Sequence, residues 1–94
     1  MTKEKFIEFM NSLNDFNAEI DYNETFEFLS YHSIYHLGLL KYTVILSDGR
    51  VLSNYRIYVF NRHYDDFIPV RTFCDFNSAE NALSALTKLD FENH

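Results

Sequence analysis

The sequence predicts an α+β fold in one domain over residues 1–94: an N-terminal helix, a three- to four-stranded antiparallel sheet with a central hairpin turning at Asp48–Gly49, and a C-terminal helix. Three observations carry that expectation. Apolar residues recur every three or four positions near both ends, the period of a helix, and every second position in between, the period of a strand. An Asp-Gly pair stands between two alternating apolar runs, a strong local hairpin signal. Two Gly and one Pro leave few breaks in regular structure.

Residues 3–16 place Phe6, Phe9, Met10, Leu13 and Phe16 on one helical face, with Thr2 as N-cap. Asn14, Asp15 and Asn17 tolerate a turn near the helix end. Residues 18–29 then alternate. Ile20, Tyr22, Phe26 and Phe28 point one way and Glu19, Asp21, Thr25 and Glu27 the other, with Glu24 on the apolar parity; this reads as a half-buried strand. Residues 30–38 fit either a bulged continuation of that strand or a connecting turn.

A two-residue type I′ turn at Asp48–Gly49, with both residues at positive φ, sets the hairpin register. It pairs Leu46 with Val51, Val44 with Ser53, Tyr42 with Tyr55 and Leu40 with Ile57 on one face. On the other it pairs Ile45 with Leu52, Thr43 with Asn54 and Lys41 with Arg56. A slip of one residue inverts the assignment. Residues 61–68 read as a polar loop. Pro69 lacks an N–H and confines the next strand, over 70–74, to an edge or to its own first position. Asn77 is the expected N-cap of a helix over 78–90, with Glu80 completing a capping box and Ala79, Ala82, Leu83, Leu86 and Leu89 as its apolar stripe.

Composition narrows the function. With 47% hydrophobic and 18% aromatic residues, the chain has enough apolar surface to offset the entropy of ordering. A single cysteine, Cys74, excludes an internal disulfide and suits a reducing compartment. Charges break the apolar character of the N-terminal MTKEKFIEFM, and no apolar run approaches the ~20 residues of a membrane span. The expected location is the cytoplasm of whatever cell hosts the protein, with no membrane partner.

The formal charge is −6 and unevenly spread. Residues 1–29 carry seven acids against Lys3 and Lys5, residues 30–64 carry four basic residues against Asp48, and residues 65–94 carry six acids against Arg71 and Lys88. Acidic ends oppose general nucleic-acid binding, which depends on Lys and Arg neutralising phosphates. They suit docking on a basic protein surface.

Each candidate for chemistry has a plainer counterpart. His32 and His36 would share a helical face suitable for zinc, but on a strand they lie ~13 Å apart, and solvated histidines are the simpler reading. Cys74 lacks an evident activating base and reads as a small buried hydrophobe. Asp65–Asp66 lacks the further oxygen ligands and the Gly of a calcium loop. Gly38 and Gly49 are too far apart for a phosphate-binding loop. The expectation is a non-enzyme with no metal and no cofactor.

Two surface features remain. Asp15, Glu19, Asp21, Glu24 and Glu27, with Asp65 and Asp66 near them, form an acid band whose carboxylates can imitate duplex phosphates on a basic groove; the plainer reading is solvated acids on an outer face. Lys41, Arg56, Tyr58, Phe60 and Arg62 on one hairpin face could stack bases and hold phosphates, or be neutralised by Glu27 or Asp21. A structural, homo-oligomeric module is the third reading, resting on Ile45, Leu52, Leu39, Tyr58 and Phe60 as an exposed patch if both helices cover one sheet face.

The compact α+β pattern, the acidic ends and the C-terminal strand–helix unit VRTFCDFNSAENALSAL together resemble, in style, the small phage-encoded antagonists of host defence, including anti-CRISPR proteins. That group has no shared signature, so no functional residue is carried over. The resemblance implies a stoichiometric inhibitor that binds a CRISPR effector or other nuclease complex and blocks its DNA or guide site. The leading expectation is therefore a small acidic protein-binding inhibitor of a basic, nucleic-acid-handling partner.

Overall fold

The computed structural model describes residues 2–20 and 23–92. The elements run α1 (Lys3–Ile20), β1 (Glu24–His32), β2 (Leu37–Ile45), β3 (Val51–Asn61), β4 (Asp66–Phe73) and α2 (Phe76–Glu92). The α+β expectation holds, with four strands in an antiparallel meander of order β1-β2-β3-β4.

Thr2 caps α1 as expected, its Oγ1 accepting from Lys5 N at 3.3 Å. The helix runs past residue 16 to Ile20, so residues 18–20 are helical and β1 starts only at Glu24. Asn14 does not end the helix, because its amide is engaged elsewhere: Nδ2 donates to Phe26 O at 3.0 Å and Oδ1 accepts from Phe26 N at 2.8 Å. Strand β1 continues through a bulge at Leu29, between Phe28 and Ser30, and reaches His32 before a turn over 33–36. Both readings of residues 30–38 thus describe part of it.

The β2–β3 turn differs from the expected type I′. Gly49 N donates to Leu46 O and Leu46 N to Arg50 O, which closes a three-residue loop, 47–49, in which Gly49 takes φ 89°. This is a type I turn followed by a left-handed glycine. Asp48 is spared a positive φ, and its Oδ1 instead accepts from Arg50 N. The pairing therefore shifts by one: Ile45 faces Val51, Tyr42 faces Asn54, Lys41 faces Tyr55, Leu40 faces Arg56 and Leu39 faces Ile57. Strand β4 also starts earlier, at Asp66, and carries Pro69 opposite Tyr58 with the ladder irregular there. As the outer strand of the sheet, it accommodates that proline.

Helix α2 is capped by Asp75, not Asn77. Ser78 N and Oγ each donate to the Asp75 carboxylate at 2.8 Å. Both residues can cap, and the earlier cap places Phe76 against the Tyr55 ring at 5.9 Å.

The helices lie on opposite faces of the sheet. One core holds Leu37, Leu39, Ile57, Ala79 and Leu83 under α2. The other holds Phe6, Leu40, Tyr58 and Phe67, with Phe9, Met10, Leu13, Phe26 and Phe28 beside them under α1. Phe16, expected in that stripe, is 61% exposed, and Leu86 of α2 is exposed too. The side chain of Leu89 lies outside the described residues. The fully buried Phe6 ring rests on Gly38, where a Cβ would fall 2.2–2.5 Å from three of the ring carbons. Glycine is required there, at the second position of β2, for close helix–sheet approach.

Candidate functional site

Glu8, Asp15 and Glu19 are exposed, and with Ser12 they recur at intervals of four, three and four along α1. That spacing gathers them on one flank of the helix. Asp65 and Asp66 are exposed at the β3–β4 turn. Asn61 Oδ1 organises this turn by accepting from His63 N and Tyr64 N, and Asp65 adopts φ 53° at its end. Asp66 Oδ1 accepts from Phe67 N at 2.8 Å.

The turn and the helix flank enclose an open groove of about 590 Å³. Glu8, Asp65 and Asp66 form its acidic rim and Phe9, Phe60 and Phe67 its floor. Phe67 lies 5.4 Å from Phe9 and 5.4 Å from Phe60 between ring centroids. The groove arises because α1 lies along β1, at one side of the sheet.

The predicted acid band is thus divided. Asp15 and Glu19 continue the flank that lines the groove, and Asp65 and Asp66 face that flank. Glu24 is half-buried and accepts a 2.5 Å hydrogen bond from Tyr42 Oη. Glu27 is opposite Lys41 in the β1–β2 ladder, on the other face of the sheet. Asp21 lies outside the described residues. Among the described residues, ion pairs join Lys5 to Glu8 at 3.4 Å and Arg50 to Asp48 at 2.7 Å. Asp15, Glu19, Asp65 and Asp66 have no ion-pair partner among them.

The basic–aromatic set does not form one face. The shifted register puts Lys41 beside Tyr55 on the α2 side and Arg56 beside Leu40 on the α1 side, so the expected Lys41–Arg56 opposition does not occur. The Arg56 guanidinium lies 3.9 Å from the Tyr42 ring centroid, and its Nε donates to Asn54 Oδ1. Tyr58 is buried, and Phe60 lines the groove. Arg62 is exposed in the β3–β4 turn. The proposed oligomerisation patch is likewise broken. Leu39 and Tyr58 are core residues, while Ile45 and Leu52 are exposed near the hairpin tip on opposite faces.

Cys74 is exposed in the bend between β4 and α2, not buried as its neighbours suggested. His32 ends β1 and His36 closes the following turn at φ 55°, so no helix aligns them. Among the described residues no group of three or more His, Cys, Asp or Glu is placed to hold a metal ion.

The acidity shifts that the fold imposes have simple causes. Burial raises the Tyr31 phenol. It also raises Tyr58, against a smaller opposing pull from Arg56. Hydrogen bonds from Ser78 lower Asp75. The groove floor is not legible in the sequence, which sets Phe9 in a helical stripe, Phe60 among candidate stacking aromatics and Phe67 in a polar loop. The available signal is Glu8, which shares a helical flank with Asp15; Glu19 joins them only because α1 runs on to Ile20.

No protein-family model, curated protein or solved structure matches this chain. No described helix is long and apolar enough to cross a membrane.

Proposed function

We propose that this protein is a non-enzymatic, acidic protein-binding module that docks on a basic, nucleic-acid-handling partner and inhibits it, in the manner of an anti-CRISPR protein occupying a nuclease's DNA or guide site. One observation carries the reading: exposed carboxylates at Asp15, Glu19, Asp65 and Asp66 lack ion-pair partners among the described residues. Unpaired like charges repel one another in the free protein, and a basic partner relieves that repulsion while steering association.

The test is lysate capture with and without nuclease, using wild type and the Asp15→Lys/Glu19→Lys variant, with circular dichroism confirming that both fold. The expected result is nuclease-insensitive capture of one nucleic-acid-processing protein, lost in the variant, with that protein's activity blocked by the wild type alone. Undiminished capture by the variant, or capture that disappears with nuclease, overturns the reading.

Exposed Ile45, Val51 and Leu52 around the β2–β3 turn favour a second reading, self-association through the hairpin tip. Light scattering at high concentration tests it: a dimer that Leu52→Asp returns to monomer supports it, and a monomeric wild type removes it.

A further inference from the structure

Resting on the docking reading, we infer that the α1–turn groove seats an arginine side chain carried by an extended basic segment of the partner. The lining points to a cation. Three carboxylates, Glu8, Asp65 and Asp66, stand around it against the single ammonium of Lys5, which is itself paired with Glu8 at 3.4 Å. The two aspartates of the turn are thereby left to a cation from outside. Beneath them Phe9, Phe60 and Phe67 supply an aromatic floor. Ring faces attract cations, and an apolar floor accommodates the alkyl stem of a long basic side chain. Arginine satisfies both together, because its flat guanidinium stacks on rings while its N–H groups bond carboxylates in pairs.

The setting points to a protein segment, not a free small cation. The groove is open along the helix. Its acidic flank continues through Asp15 to Glu19, with Phe16 exposed beside them. Glu8 to Glu19 spans about 16 Å of helix at about 1.5 Å per residue. An extended strand of about five residues covers that length at about 3.3 Å per residue.

The probe is an acetylated, amidated octapeptide of alternating arginine and glycine, titrated into the ¹⁵N-labelled full chain, with the glutamate–glycine peptide as control. The expected result is saturable amide shifts at residues 8–13 and 60–67 with the arginine peptide alone. In Asp65→Asn/Asp66→Asn the apparent affinity should fall at least tenfold. Asparagine keeps the left-handed turn conformation and the hydrogen bond to Phe67 N, so this variant retains the fold. Phe60→Leu should weaken binding with the charges intact. Shifts confined to the Asp15–Glu19 end, unchanged in the double asparagine variant, overturn the groove inference and leave acidic docking standing. No saturable shift anywhere also overturns the groove; docking itself is then decided by the Asp15→Lys/Glu19→Lys capture.

Discussion

The side-chain amide of Asn14 bonds both backbone polar groups of Phe26, accepting from its N–H at 2.8 Å and donating to its carbonyl at 3.0 Å. It thus stands in for a neighbouring strand at the outer side of β1, the first strand of the sheet. Unpaired sheet edges invite pairing with other chains, and covering them is a usual remedy. Asn14→Ala leaves two part-buried backbone groups of Phe26 without this partner. It should cost about 1–3 kcal/mol, read as a lower urea midpoint at unchanged slope. The same variant should form dimers or larger species by light scattering at concentrations where wild type does not.

Gly49 sets the hairpin register. It sits at φ 89° with nothing within 4 Å of where its Cβ would lie, so a side chain there meets conformational strain and no clash. Gly49→Ala should destabilise by about 1–2 kcal/mol, and Gly49→Asn by less, since asparagine visits left-handed backbone more readily. Urea denaturation of the two variants checks the order. Equal stability of wild type and Gly49→Ala would contradict the three-residue turn.

That turn also shows where the sequence stops being readable. The hairpin's place was plain from Asp48–Gly49, but whether two residues or three form its loop is a choice between two allowed turn types. The choice decides which β3 side chains share a face with which of β2. Lys41 and Arg56 were separated by it. The helical periods at both ends were legible because Phe6 and Leu83 repeat with their neighbours at helical spacing. That the helices take opposite faces was not, because Leu39 and Leu40 are both fully buried and leave no polar side to read. The groove depends on where α1 lies across the sheet, which no local pattern encodes.

Asp75 makes stability pH-dependent. The Ser78 backbone N–H, then the Ser78 hydroxyl, hold its carboxyl below the usual carboxylate range. A carboxyl whose acidity is depressed on folding contributes stability above its unfolded value, and the contribution is lost as pH falls through the folded value. Asp75→Asn keeps a capping side chain that does not titrate. Wild type should therefore be the more stable at neutral pH, and the two melting temperatures should converge as pH drops below the ordinary carboxylate range. A gap that persists at the lowest pH would exclude the Asp75 charge as its source.

Phe6 and Gly38 form a size-matched pair across the α1–sheet interface. The Phe6 ring is fully buried, stacks with Tyr31 at 5.4 Å and meets Phe67 edge-on at 5.0 Å, so it has aromatic neighbours on several sides. Gly38→Ala pushes a methyl group into that ring and should cost about 1–3 kcal/mol through overpacking, although alanine is otherwise the better strand residue. Phe6→Leu should also destabilise, since it loses ring contacts in a packed core. Combined, the leucine vacates part of the space the methyl needs. The double variant should therefore be more stable than the sum of the two single losses implies, a coupling measurable by chemical denaturation of all four proteins. Simple additivity would mean that α1 shifts as a body to admit the methyl group, and that Gly38 does not fix the height of the helix above the sheet.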